Sequence, residues 1–208
     1  MLTEKTGRTP QDLATELAAL VGLDWPWVWA GPPQGGSPAF GEWCARYGWQ
    51  PQNVEGNLAV RTGTGGRLRF GSGGNWNPVT DVDTVVWDLA AATAADNEQV
   101  ISAAADAWPR YLDAAAGVLG APRWTGAWDD PDFPEPPHES YWPSRDFRLR
   151  TRRPYRFAYW QPAADGPERP YVVLDQSVSF PTWGEAAPGG SMIWLTAFRP
   201  VGDGSGRP

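Results

Sequence analysis

Several groups of side chains in this sequence are of types that do chemistry, and each lacks a part that its chemistry needs. His138 is the only histidine, in Pro136-Pro-His-Glu139, shortly after Asp129, Asp130 and Asp132. An imidazole among carboxylates can act as a general base or supply one ligand to a metal. Asp-Asp-Pro-Asp has neither the spacing nor the glycine of an EF-hand loop, and a proline-rich acidic stretch reads more readily as a solvated connection. Cys44 is the lone cysteine, in Glu42-Trp-Cys-Ala-Arg46. A nucleophilic thiolate needs a base, and the sole candidate is His138, far along the chain. A buried, inert thiol is the plainer reading. Asp81 and Asp83, with Glu42 or Glu55, are candidates for the paired carboxylates of glycoside chemistry, helped by tryptophan platforms. Solvated strand edges account for them more simply.

The charge pattern is more informative. Asp129 to Glu139 holds five acids and no Lys or Arg, whereas Arg145 to Arg156 holds six Arg and one acid. Read as a strand, Asp146–Thr151 places Asp146, Arg148 and Arg150 on one face and Phe147 and Leu149 on the other. Guanidinium forks on such a face would recognise carboxylates or phosphates; a solvated sheet face neutralised by the acidic loop is the competing account. The chain has fourteen Trp. Trp87, Trp108 and Trp194 fall within apolar patterns and read as core. Trp76, Trp124, Trp128, Trp142 and Trp183 fall in Gly- and Pro-rich loops, where they suit a protein interface, a sugar platform or a loop folded back on its own core. The best candidate partner surface is Trp128, Asp129, Asp130, Asp132, Glu135, Glu139 and Trp142, with Arg148 and Arg150.

Absences narrow the field. One His and one Cys cannot make a zinc site of the His-rich or Cys-rich kind. There is no P-loop, and the only lysine, Lys5, sits near the N-terminus, which argues against Schiff-base chemistry. Gly71-Ser-Gly-Gly74 is too short for a dinucleotide fingerprint, and no Gly-x-Ser-x-Gly elbow occurs. No cofactor is therefore expected. A net charge of −7 argues against general nucleic-acid binding and against an anionic membrane surface, and permits a basic protein partner. No apolar run reaches the ~20 residues of a membrane span, and the first residues are polar where a signal peptide would be apolar. The expectation is a cytoplasmic protein.

The elements that must position these residues follow from periodicity. Thr9-Pro10 opens a helix with Leu13, Leu17, Leu20 and Val21 on one side. Trp25, Trp27 and Trp29 alternate, which predicts an extended segment, and a short helix spans about Phe40 to Tyr47. Leu58–Arg61 and Arg67–Phe70 flank a glycine-rich turn as a hairpin, and Val82–Leu89 is a third strand. A long helix runs from about Asp96, capped with Gln99, to Leu119, with Ile101, Ala104, Trp108, Tyr111, Ala115 and Val118 or Leu119 as its stripe. Pro109 should kink it. Asp146–Thr151, Tyr155–Gln161, Tyr171–Ser179 and Ser191–Arg199 read as antiparallel strands, the first two as a hairpin. The fold class is α+β: mainly antiparallel sheet, two N-terminal helices and one long central helix. Residues 1–9 and 201–208 are expected to be flexible, flanking a single domain over 10–200.

The segment Ala107-Trp-Pro-Arg-Tyr followed by Val118-Leu-Gly-Ala-Pro-Arg-Trp124 resembles a recurrent piece of small, uncharacterised proteins of high-GC bacteria. In these a helix ends in Leu-Gly-x-Pro and is followed by strands bearing Trp and Arg. Some are of the toxin-immunity or chaperone type. The resemblance spans about the last half of the chain and carries no functional residue across. It implies a non-enzymatic protein-binding role, for instance an immunity protein neutralising a cognate toxin. The alternatives are a carbohydrate-active enzyme or carbohydrate-binding module built on carboxylates and exposed Trp, and a structural subunit of a larger assembly.

Overall fold

A computed structural model describes residues 1–4, 6–33, 38–53, 58–74, 76–161, 169–179 and 187–201. Lys5, Glu55, Trp183 and residues 202–208 lie outside the described residues. The first helix, α1 (Pro10–Val21), starts as the sequence predicts. Thr9 Oγ1 accepts from the Asp12 N–H at 3.2 Å, and Asp12 Oδ2 accepts from the Thr9 N–H at 2.7 Å. This reciprocal capping satisfies two of the N–H groups that a helix start leaves free.

The tryptophan-proline segment is a correction to the sequence reading. It forms a helix, α2 (Trp25–Ala30), capped by Asp24 with Pro26 in its first turn. Trp25 and Trp29 are one turn apart and stack at 4.6 Å inside the core. Trp27 leaves to the side and stacks on Trp43 at 5.5 Å. A third helix, α3 (Pro38–Ala45), buries Phe40, Trp43 and Cys44.

The strands are β1 (Leu2–Thr3), β2 (Gln50–Asn53), β3 (Leu58–Arg61), β4 (Arg67–Ser72), β5 (Val79–Ala91), β6 (Trp124–Ala127), β7 (Arg156–Trp160), β8 (Tyr171–Ser179) and β9 (Gly190–Phe198). All pairings are antiparallel, in the order β2-β3-β4-β5-β9-β8-β7-β6, and β1 pairs with the far end of β5. The N-terminal residues, expected to be loose, thus supply a strand, and the Met1 ammonium lies 2.8 Å from Asp96 Oδ1. Sequence reasoning missed β2 and β6, and β7 pairs with β6 and β8 instead of with residues 146–151. A bulge between Val85 and Trp87 shifts the β5 register against β9. It keeps both Val86 and Trp87 in the core and turns Asp88 to the opposite face.

A short 3₁₀ turn (Ala94–Asp96) leads into the central helix α4 (Asn97–Leu119). The capping box here belongs to Thr93 and Asp96 on that turn, not to Asp96 and Gln99. The buried stripe is Val100, Ala104, Ala107, Trp108, Tyr111 and Ala115, and Ile101 is only partly buried. Gln176 of β8, fully buried, donates through Nε2 to the Ala104 carbonyl at 2.8 Å and fixes the helix over the sheet. Among the described residues no helix is long and apolar enough to cross a membrane.

A buried charge ties the helical layer to the sheet. Glu16 is 1% exposed. Its Oε2 is 3.1 Å from Arg8 Nη2, accepts from Thr62 Oγ1 at 3.0 Å, and accepts also from Thr64 Oγ1. Thr62 and Thr64 belong to the β3–β4 turn, where a side chain at Gly66 would collide with the Glu16 carboxylate. The Tyr111 hydroxyl of α4 donates to the Arg8 carbonyl at 2.6 Å. Removing one partner of a buried pair leaves the other without compensation, at about 3–5 kcal/mol. Glu16→Ala is expected to lose that much stability in denaturant unfolding, against about 3–5 kcal/mol for Trp108→Ala, which empties a core site. A loss below about 1 kcal/mol for Glu16→Ala would mean that the knot contributes nothing net.

Candidate functional site

The helices cover one face of the sheet. Leu58, Val60, Leu68, Phe70, Val82, Leu174, Ile193 and Leu195 point into that layer. Strand alternation turns Arg67, Arg69, Asp81, Asp83, Val85, Trp194, Thr196, Phe198, Tyr171, Val173 and Asp175 to the other, outer face. On β6 to β9 this face is closed by the connection between β6 and β7. Phe133, Tyr141 and Trp142 from that connection pack on Phe157 and Val173 as a second buried cluster. Tyr141 stacks on Phe198 at 5.0 Å, and Trp142 lies 5.2 Å from Phe157.

Residues 145–151 form a helix, α5 (Arg145–Thr151), which overturns the strand reading. The helical period reverses which side chains are inside. Arg148 is 2% exposed, donates to the Trp128 carbonyl and lies 4.1 Å from the centre of the Phe133 ring. Its Nε has no hydrogen-bond partner. Burial, then the neighbouring Arg145, lower its pKa, while Glu135, Asp129 and Asp130 oppose them. Phe147 and Leu149, set by the strand reading on the face opposite Arg148, are 42% and 41% exposed. Arg150 is exposed beside them.

The other expected site residues divide between surface and interior. Asp129, Asp132, Glu135 and Glu139 are exposed. Asp130 is partly buried and accepts from the Ala127 N–H at 2.7 Å, closing the turn after β6. Trp142 is buried, with Nε1 donating to the Pro134 carbonyl at 2.9 Å, so it anchors its own loop. Trp128 is partly buried under Arg152, whose guanidinium is 5.4 Å from its ring. His138 pairs with Ser140 Oγ at 2.7 Å, and no cluster of three metal-ligating side chains occurs among the described residues. Cys44 is buried, and desolvation pushes its thiol up to about 11, far from a reactive thiolate at neutral pH.

The carboxylate pairing expected for Asp83 is also corrected. Glu42 rides on α3 in the helical layer, on the opposite side of the sheet from Asp81 and Asp83. The partner of Asp83 is Arg69, whose Nε donates at 2.7 Å; the Asp81 charge acts on Asp83, and the Asp83 charge acts in turn on Asp175 of β8 across β9. Trp194, expected in the core, sits on the outer face between them, with the Arg69 guanidinium 4.6 Å from its ring. Burial raises the Asp83 pKa and the Arg69 bond pulls it back. Asp175 has no such partner: burial, with the Asp83 charge behind it, raises its pKa from an ordinary 3.8 to about 7. Asp175 also lines a cavity of about 140 Å³ under the connection, with Arg153 at its edge. A wider groove of about 710 Å³ on the same face runs past Arg153 to Asp88 and Met192. Sequence reasoning missed Asp175, because one acid alternating with Leu174 and Gln176 looks like any solvated strand position.

No protein-family model, curated protein or solved structure matches the chain.

The raised pKa of Asp175 has a thermodynamic consequence. Between about pH 4 and pH 7 the folded protein holds a proton on Asp175 that the unfolded chain has released. Stability attributable to this group therefore falls as pH rises through that window. Asp175→Asn is expected to unfold like the wild type near pH 4 and to be more stable at pH 8, by up to about 4 kcal/mol. Parallel stability curves for the two proteins from pH 4 to pH 8 would show that Asp175 is not desolvated.

Proposed function

We propose that the protein is a non-enzymatic binding protein that docks a basic protein partner on the outer side of the β6–β7 connection and α5. One observation carries this reading: Asp129, Asp132, Glu135 and Glu139 stay exposed, while Arg148, which feels the Asp129 and Glu135 charges, is itself buried. Phe147 and Leu149 stand exposed at the flanks of α5, where they can supply apolar contact area next to the charges. The net charge of −7 favours encounter with a basic protein. A cytoplasmic immunity protein bound to a cognate toxin is one specific form of this role, and its support is the sequence resemblance alone. A carbohydrate site has less support, since Arg69 already covers one face of Trp194, the tryptophan cross-strand from Asp175.

The test begins with affinity capture from the native host using the full chain, followed by binding kinetics with the captured protein. Replacing Asp129 and Asp132 by Asn and Glu135 and Glu139 by Gln is expected to slow association about tenfold at low salt and flatten its salt dependence. Stability should change by no more than about 0.5 kcal/mol, as for other surface substitutions. Phe147→Ser with Leu149→Ser should act on dissociation instead. Unchanged kinetics in both variants would move the interface to another face.

A further inference from the structure

The cavity of about 140 Å³ lies where the β6–β7 connection meets β8 and β9, and its walls include the rings of Tyr141, Trp142, Phe157 and Phe198. The polar atoms of the first two are already engaged. Trp142 Nε1 donates to the Pro134 carbonyl, and the Tyr141 hydroxyl donates to the Arg199 carbonyl at 2.6 Å and accepts from the Val201 N–H at 2.9 Å. Ring surface is what these side chains have left to offer. Among the described lining residues the polar groups are Asp175 and Ser177 of β8 and the exposed Arg153. Among the described residues the Asp175 carboxylate has no hydrogen bond or ion pair, although Arg153 lines the same cavity. A half-buried carboxylate without a counter-ion among the described residues, at the edge of an aromatic enclosure, is complementary to an organic cation: the rings attract positive charge through their faces and the carboxylate neutralises it.

We propose that this cavity is a subsite for an alkylammonium group, with Asp175 as its counter-ion and the rings of Tyr141, Trp142 and Phe198 around it. At roughly 30 Å³ per water-sized group, the space takes about four or five heavy atoms, the size of a lysine side-chain end or a small free amine. Other charged groups face Asp175 from the surrounding elements. Asp83 of β5 adds negative potential that its bond to Arg69 of β4 partly cancels, Asp81 and Asp88 lie further along β5, and Arg153 opposes a cation at the edge. A bound ammonium favours the ionised carboxylate, so binding below about pH 7 expels the Asp175 proton. The site stands apart from the acidic outer surface and does not require a protein partner.

The probe is n-butylammonium chloride, with n-pentanol as the neutral control, followed by calorimetry or tryptophan fluorescence. Butylammonium is expected to bind the wild type about tenfold more tightly at pH 8 than at pH 6 and to bind Asp175→Asn at least tenfold more weakly at pH 8, with the variant still folded by its thermal transition. Arg153→Gln, at an exposed position, should tighten binding by removing a like charge. Nα-acetyl-lysine methylamide separates the sources: binding like butylammonium points to a partner's lysine, and exclusion of this larger probe points to a free amine. Equal binding of n-pentanol and butylammonium, or butylammonium binding that Asp175→Asn leaves unchanged, would overturn the proposal and leave an apolar void; so would the absence of butylammonium binding to the wild type at pH 8.

Discussion

The nine strands among the described residues make a sheet with two faces to bury, and α1 to α4 cover only one of them. α1 to α4 make a continuous layer over strands β3 to β9 on the inner side. The outer side of β6 to β9 presents Phe157, Tyr159, Tyr171, Val173 and Phe198, an apolar surface too large to leave to water. The chain meets this constraint with an irregular cover, the β6–β7 connection, which lays Phe133, Tyr141 and Trp142 across it. The rest of the outer face, on β3 to β5, is left polar: Arg61 and Arg67 are exposed opposite each other, and Arg69 is neutralised by Asp83. The boundary between covered and uncovered halves falls along β8 and β9, which is where Asp175 and Trp194 sit.

An irregular cover has backbone polar groups that no ladder satisfies, and side chains must satisfy them. Here Asp130, Arg148, Trp142 and Tyr141 do so, each bonding main-chain atoms of the connection or of the segment after β9. Arg148 pairs its charge with a carbonyl and an aromatic face instead of a carboxylate, which leaves the acids above it exposed. Buried and exposed groups are therefore divided within one segment. Phe133, Tyr141, Trp142 and Arg148 are turned in to hold the cover, Asp130 closes its first turn, and Asp129, Asp132, Glu135 and Glu139 remain outside. The cavity beside Asp175 is a margin where the cover and the sheet do not close fully.

Much of the fold was legible where one periodicity stood without a rival. Leu58–Arg61 with Arg67–Phe70, Tyr171–Ser179 and the long helix to Leu119 carry clean strand or helix patterns over enough residues to decide. Two segments were misread for one physical reason: over five to seven residues, alternation fits a strand as well as a helix that buries only part of its surface. In Trp25-Pro-Trp-Val-Trp29 the stacked pair is one helical turn apart, but the same residues alternate. In Arg145–Thr151 the apolar residues are the exposed ones, so hydrophobicity pointed the wrong way, and only the tertiary need for a cation at the Trp128 carbonyl explains the burial of Arg148. β2, Gln-Pro-Gln-Asn, has no apolar residue, and β6, Trp-Thr-Gly-Ala, is too short to show an alternation, as edge strands can be. The candidate site was half legible. The acidic run shows in composition, whereas the meeting of Asp83, Trp194 and Asp175 depends on strand order, with β9 inserted between β5 and β8, and no local pattern encodes that.

The tryptophan content follows from the same economy of short elements. α2 has six residues and α3 eight, and Gly- and Pro-rich connections separate them, so each element has only two or three positions with which to reach the core. A Trp at such a position buries more area than any other side chain and loses few rotors in doing so. Trp27 on α2, Trp43 on α3 and Trp49 just before β2 form a contiguous aromatic layer ending on Phe70 of β4, and Trp25 and Trp29 make a second stacked pair. Trp124 and Trp142 do the same for the outer cover. No tryptophan among the described residues is exposed, so the abundance of Trp is explained by packing. The surface that this packing leaves is made by charged groups and a few exposed apolar side chains, Phe147 and Leu149 among them, and the proposed docking surface rests on these.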